Sequence, residues 1–295
     1  MSPRQSPPGP SAKTAQELLK KAVEKLQEVG APNHLLDVEI MLSKASGLSR
    51  AQILAHPEKG VSTKAVERFS EWVIRRSTRE PLAYILGEKE FYGLCFEVSP
   101  AVLIPRPETE ILVETALSIL KQKENPMVAD IGLGSGAVAI SIARNLGDCV
   151  IYGTEVSAEA LEVACRNAER IGVRNRVSFL QGDLFEPLEG RSFDLIVSNP
   201  PYIPSDEIDR LEPEISKHEP RRALDGGTDG LDYFRRIATS APEHVSPGGA
   251  LALEVGMGQA ESVRTLLSAA GFNNPRSIKD YAGIERVVVA SKEPA

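Results

Sequence analysis

Ser198-Asn199-Pro200-Pro201-Tyr202-Ile203 follows directly on Phe193-Asp194-Leu195-Ile196-Val197, an apolar run that reads as a buried strand. Two consecutive prolines donate no ladder hydrogen bond and fix φ, so the strand must stop there. It then presents an amide, a rigid turn that fixes the direction of a backbone carbonyl, and an aromatic face. All three stand at a carboxyl strand end, the edge where open α/β sheets bind ligands. Together they can grip a planar group that carries an NH2. A strand-ending turn with a structural Asn is the competing reading, and the other motifs must decide.

The second constellation is Asp130-Ile131-Gly132-Leu133-Gly134-Ser135-Gly136, placed between a strand and a helix that starts at Ala137. Glycines there let the backbone turn tightly and approach a ligand closely. The spacing is GxGxG, not GxGxxG, and an acid stands two residues before the first glycine. Such a loop suits S-adenosyl-L-methionine, with its amino-acid end and sulfonium charge, better than a dinucleotide with its pyrophosphate. Asp130 can orient an ammonium. Glu155 ends the next strand about 20 residues on, where an acid accepts hydrogen bonds from ribose hydroxyls. Gly182-Asp183-Leu184-Phe185 follows the third strand; Asp183 or a neighbouring amide can meet an adenine amino group while Leu184 packs on the ring. Each of these alone reads equally as a turn or a solvated acid. Their order at successive strand ends favours a cofactor site.

The elements that must hold these groups fall into two sets. Thr14-Ala15-Gln16-Glu17 is a capping-box pattern that opens a first helix, ended by Gly30. Apolar periodicity gives a second helix up to Gly47, a short third capped by Ser49, and a fourth over 63–77. Four short amphipathic helices suggest a small bundle, and it holds no catalytic constellation. The character changes at Arg79. Residues 90–98 alternate around Gly93 as in a β-hairpin, and Leu103-Ile104-Pro105-Arg106-Pro107 is a stiff extended segment. From Glu108 onward, helix and strand patterns alternate to the end, with strands at 127–130, 150–155, 177–180, 194–197, 250–254 and 285–290. That alternation means a parallel sheet covered on both faces. Residues 204–249 form an unusually long connection, suited to a lid or a substrate wall. The expected division is a disordered Pro-rich tail over 1–13, a helical domain over 14–86, a connecting hairpin and linker over 87–107, and an α/β domain over 108–295.

Composition excludes several classes. The chain has 295 residues and a net charge of -7, which argues against a surface built for non-specific nucleic-acid binding. Its three cysteines are scattered without a CxxC pair, and its four histidines are dispersed. They fit a reduced cytoplasmic protein without a metal site. No run approaches the roughly 18 apolar residues of a membrane span, and the first residues resemble neither a signal nor a transit peptide.

With these motifs in view, the chain resembles class I S-adenosylmethionine-dependent methyltransferases. More narrowly, it is similar to the protein-(glutamine-N5) methyltransferases that act on peptide chain release factors. The resemblance runs over residues 15–295. It is carried by the Asp130–Gly136 loop, Asn199–Tyr202 and three further blocks: Arg79-Glu80-Pro81 with Tyr84–Gly87 and Glu90–Gly93, Leu103–Glu110, and Glu219-Pro220-Arg221 with Ala223–Gly227 and Asp229–Leu231. Asn-Pro-Pro-Tyr alone is shared with nucleic-acid amino-methyltransferases. Leu133 stands where the family usually has Thr, Glu155 where it usually has Asp, and Leu184 where an aromatic is common.

The resemblance implies a Rossmann-like domain with a seven-stranded, mostly parallel sheet whose last strand is antiparallel, preceded by a helical substrate-recognition domain. It implies methyl transfer to the amide of a glutamine in a Gly-Gly-Gln loop, which modulates translation termination. It also implies a monomeric enzyme with release factors as protein partners and no direct nucleic-acid substrate. Asn199, Pro200 and Tyr202 are the implied catalytic groups, and Pro201 joins them in binding substrate. Asp130, Gly132, Leu133, Gly134, Ser135, Gly136, Glu155, Asp183, Leu184 and Asn199 are the implied cofactor contacts. The alternatives are an N6-adenine nucleic-acid methyltransferase and a non-catalytic binding module of the same fold.

Overall fold

A computed structural model describes residues 13–294. The tail expected over 1–13 therefore lies, apart from Lys13, outside the described residues. The chain divides into two compact units, one ending at Leu86 and the other beginning at Gly87.

The first unit is helical. Thr14 and Glu17 form the expected capping box: the Glu17 amide donates to Thr14 Oγ1 at 3.3 Å and the Thr14 amide to Glu17 Oε2 at 3.0 Å. Helices span Ala15–Glu28, His34–Ser46, Arg50–Ala55 and Thr63–Ser77, and a fifth short one spans Leu82–Leu86. Their apolar faces meet in one core built on Leu18, Leu26, Met41, Leu42, Ile53 and Phe69. Within that core Arg76 is buried, and its Nε donates to Asp37 Oδ2 at 2.7 Å.

The second unit opens with a hairpin of β1 (Glu88–Phe91) and β2 (Leu94–Glu97). Tyr92 and Gly93 both have positive φ, as the tight turn of a two-residue hairpin requires. The remaining strands are β3 (Met127–Ile131), β4 (Val150–Glu155), β5 (Val177–Gln181), β6 (Phe193–Ser198), β7 (Val245–Glu254), β8 (Asn273–Lys279) and β9 (Glu285–Ser291). They form one seven-stranded sheet in the order β5-β4-β3-β6-β7-β9-β8. The first five in that order run parallel, and β9 is antiparallel to both its neighbours. This is the class I methyltransferase architecture that the resemblance implied.

Strand β8 has no counterpart among the six strands read from sequence alternation. It is an edge strand with Asn273, Asn274 and Pro275 at its start and only partial burial along its length. An edge tolerates Pro and polar residues, so no alternating signal is needed.

The chain proceeds from β3 outward to β4 and β5, then crosses back to β6 and β7. The direction of winding therefore reverses between β3 and β6, the topological switch point where such sheets open a crevice. Ile131 and Ser198 are register partners there, so the glycine loop and Asn199 leave adjacent strand ends. The Ser198 hydroxyl ties the two ends together by donating to the Ile131 carbonyl at 2.6 Å. Apolar side chains on both faces bury the strands: Val128, Leu195 and Val197 on one, Ala129, Ile131, Ile196 and Leu251 on the other.

Candidate active site

A cleft partly open to solvent lies over the carboxyl ends of β3, β4 and β6. Asp130, Gly132, Leu133, Gly134, Ser135, Glu155, Asp183, Leu184, Asn199 and Pro201 all line it. Of the other residues singled out from sequence, Gly136 caps the helix that starts at Ala137, Pro200 is buried, and Tyr202 turns toward the end of β7.

The glycine loop is held by its surroundings. Gly132 and Leu133 both donate to the Thr154 carbonyl at 2.9 Å, and Asn167 Nδ2 donates to the Ser135 carbonyl at 3.0 Å. Gly132 and Gly134 have φ of 77° and 54°. A Cβ built on Gly132 would meet nothing within 4 Å, and one on Gly134 only the Gly132 carbonyl at 4.0 Å. The loop thus offers bare backbone beside open space, which a ligand can approach without meeting side chains.

Asp130 sits at the floor, 2% exposed. Burial raises its pKa to about 7, against the pull of the Ala139 amide, which donates to Oδ2 at 3.0 Å; nearby Glu155 adds to the rise. A cationic ligand group would relieve that penalty. Glu155 does two things. Its Oε2 accepts the Gly134 amide at 3.0 Å and its Oε1 the Ser157 amide at 3.0 Å, so it clamps the loop. Each oxygen keeps a lone pair for a hydroxyl donor. A cationic end beside Asp130, a diol beside Glu155 and bare glycine backbone between them fit S-adenosyl-L-methionine. The Asp183 carboxylate meets Arg236 Nη2 at 2.5 Å, and the Asp183 amide donates to Glu186 at 3.2 Å. Leu184 lines the cleft with φ of 50°, a left-handed conformation uncommon outside glycine.

Opposite this wall, Asn199 Nδ2 donates to Thr109 Oγ1 at 3.2 Å. The Tyr202 hydroxyl points at Glu254 Oε1, 3.5 Å away, and burial together with Glu254 raises its pKa. The Tyr202 carbonyl accepts from Gln259 Nε2 at 2.9 Å. Glycines of the third sequence block press on this loop: a Cβ on Gly226 would come within 2.9 Å of the Pro201 carbonyl. Glu219 is buried and accepts from Arg106 Nη2 at 2.5 Å and from the Ile104 amide at 3.2 Å, which ties the extended segment 103–107 to the long connection after β6. Pro105, Arg106, Thr109, Arg222, Ala223 and Tyr233 also line the cleft. Thr109 lies in the Leu103–Glu110 block, yet nothing local to it marks a partner 90 residues away.

Comparison with known proteins decides the family. Residues 17–87 match the model described as "PrmC N-terminal domain" and residues 108–218 the "Methyltransferase small domain". The release factor glutamine methyltransferase of Geobacter sulfurreducens is 47% identical over 263 residues, which covers 89% of this chain and 91% of that one. That of Bradyrhizobium diazoefficiens is 41% identical over 300 residues and 100% of both chains. The chain belongs to the release factor glutamine methyltransferase family. Its fold alone is also similar to a Thermus thermophilus 16S rRNA N2 G1207 methyltransferase solved with AdoMet and guanosine. That likeness has a TM-score of 0.52 and 20% identity, over 70% of this chain and 50% of that one. Family membership makes the chain a methyltransferase, and its cleft is where that chemistry must be sought.

Proposed function

We propose that this enzyme methylates the side-chain amide N5 of a glutamine, in a Gly-Gly-Gln loop of peptide chain release factors, with S-adenosyl-L-methionine as donor. The observation that carries the reading is the adjacency of two loops: the glycine loop after β3 and Asn199-Pro200-Pro201-Tyr202 after β6 leave register-partnered strand ends into one cleft.

Bound S-adenosyl-L-methionine supplies an electrophilic methyl group on a sulfonium. Asp130 would hold its ammonium, Glu155 its ribose hydroxyls, and the backbone of Gly132–Gly134 its amino-acid portion, with Asp183 and Leu184 at the adenine side. An amide nitrogen is a poor nucleophile because its lone pair is delocalised. Asn199 Oδ1 and the Pro200 carbonyl are the acceptors for its two N–H groups. Such acceptors bind more strongly as the nitrogen gains positive charge, so they stabilise the transition state preferentially. Pro201 fixes their separation, and the Tyr202 ring adds an aromatic face favourable to positive charge. Positioning supplies much of the acceleration. The helical unit grips the release factor, and the enzyme works as a monomer in the cytoplasm, where translation termination occurs.

The test is incubation with labelled S-adenosyl-L-methionine and either a release factor or DNA, followed by mass spectrometry. Label on the Gly-Gly-Gln glutamine is expected; label on adenine, or none, defeats the reading. Asn199→Ala should lose most turnover, roughly 100-fold by analogy with removal of one transition-state hydrogen bond, while cofactor affinity falls far less.

A further inference from the structure

Pro200 and Pro201 have no N–H, so the segment Asn199–Tyr202 keeps few backbone donors and must be held by what donates to its carbonyls. Gln259, which stands at the amino end of the helix Ala260–Ala269, is such a donor. Its Nε2 donates to the Tyr202 carbonyl at 2.9 Å and to the Gly230 carbonyl at 3.3 Å, while its Oε1 accepts the Gly256 amide at 3.0 Å. One side-chain amide thus joins three backbone segments: the loop after β6, the Gly226–Gly230 block and the turn after β7. Its two ends are not interchangeable, because Nε2 faces two carbonyls and Oε1 faces an N–H. Glycines make room for it. A Cβ on Gly256 would stand 2.7 Å from Gln259 Oε1 and 3.0 Å from Tyr202 Cδ2, and one on Gly230 would stand 2.6 Å from Gln259 Nε2. Gln259 itself does not line the cleft.

We propose that Gln259 is a positioning residue that fixes the carboxyl end of Asn199-Pro200-Pro201-Tyr202 against the turn after β7. The amino end is already fixed by the Ser198 hydroxyl on the Ile131 carbonyl. Between these two anchors the prolines leave little torsional freedom. The Asn199 oxygen and the Pro200 carbonyl therefore hold their direction while the substrate amide enters and gains charge. Acceptors placed in advance need no rearrangement in the transition state. The same tie keeps the Tyr202 ring over Gly256, where a missing Cβ lets it lie close. This inference rests on the roles of Asn199 and Pro200 proposed above. Gln259 acts on them through the Tyr202 backbone. Its contribution is specific to a donor: the Tyr202 carbonyl requires an N–H, which an ionised carboxylate of the same shape cannot supply.

The experiment compares Gln259→Met, Gln259→Glu, Asn199→Ala and the double variant Asn199→Ala with Gln259→Met, all in the full chain. For each, kcat and KM are measured with a release factor below the variant's melting midpoint, and calorimetry gives cofactor affinity and the number of binding sites per chain. That number counts folded sites, so kcat per site separates lost positioning from lost folding. Gln259→Met keeps the side-chain length and removes both polar ends. It should lower kcat per site about 10- to 100-fold, the cost of displacing reacting groups by up to about 1 Å, with KM and cofactor affinity unchanged. Gln259→Glu keeps an acceptor for Gly256 but should lose at least as much. The double variant should lose less than the product of the two single losses, because both changes act on the same acceptors. Wild-type kcat in Gln259→Met or Gln259→Glu, cofactor affinity that falls in step with kcat, or losses that multiply in full would overturn the proposal. Near-normal turnover in Asn199→Ala would instead remove the reading of Asn199 on which it rests.

Discussion

Asp130 is held in a condition that costs the free protein stability and suits a cationic ligand. Its carboxyl titrates at about 7 in the folded chain against an ordinary 3.8. Between those values the native state keeps a proton that the unfolded chain has released, so stability falls as pH rises through the window and levels off above it. Glu254, raised from 4.5 to about 7 by burial, falls in nearly the same window. Asp130→Asn removes one of the two contributions, since an Asn oxygen can still accept the Ala139 amide. The cofactor-free variant should melt several degrees above the wild type at pH 8, and the difference should vanish near pH 4. Its cofactor affinity should drop about tenfold or more, as expected for a lost charge-assisted contact of at least ~1.4 kcal/mol. Thermal melts across pH and calorimetric titration check both halves. A variant that binds cofactor normally would show that Asp130 serves the fold alone.

Loops here are shaped by elements far from them in sequence, and this sets what a single sequence reveals. The glycine loop and Asn199-Pro200-Pro201-Tyr202 were readable because each is contiguous and each follows an apolar strand; a parallel sheet then brings their ends together. What the sequence hid is the support behind them. Thr109 reaches Asn199 across 90 residues, Glu219 reaches Arg106 across 113, and Asp183 meets Arg236 on a distant helix. None of these pairs has a local signature, and the polar residues of β8 lie at an unburied edge where alternation is not required. The glycine block at Gly226–Gly230 was visible only as a pattern. Its physical cause is a backbone-to-backbone approach: a Cβ on Gly226 would stand 2.8 Å from Tyr202 Cα and 2.9 Å from both Gly230 Cα and the Pro201 carbonyl. Backbone cannot yield as a flexible side chain can. Gly226→Ala should therefore cost about 1–3 kcal/mol of stability, the usual range for overpacking. It should also lower kcat more than it weakens cofactor binding, because the displaced segment is the one after β6. Unfolding curves paired with cofactor titration measure this; normal kcat would mean that the loop tolerates the shift.

At the scale of the whole molecule, every described residue that lines the cleft belongs to the second unit, and none of the described residues of the helical unit is among them. Building and keeping such a unit, with its own core and the buried pair of Arg76 and Asp37, makes sense if it performs recognition. Net charge is -7, so broad attraction to polyanions is not the means. The unit does expose large apolar side chains: Leu35, Leu54 and Ile74 are each more than half exposed. Single exposed apolar residues are ordinary on protein surfaces, so their role has to be read from kinetics with two substrates. An intact release factor can use both units, whereas a short Gly-Gly-Gln peptide can use only the cleft. Leu54→Glu with Ile74→Glu should raise KM for the intact release factor several-fold. The same double variant should leave cofactor affinity, and kcat/KM for the peptide, unchanged, because neither residue lines the cleft. Equal loss with both substrates would place the defect in folding or chemistry. No change with either would mean that recognition rests on other surfaces of the enzyme.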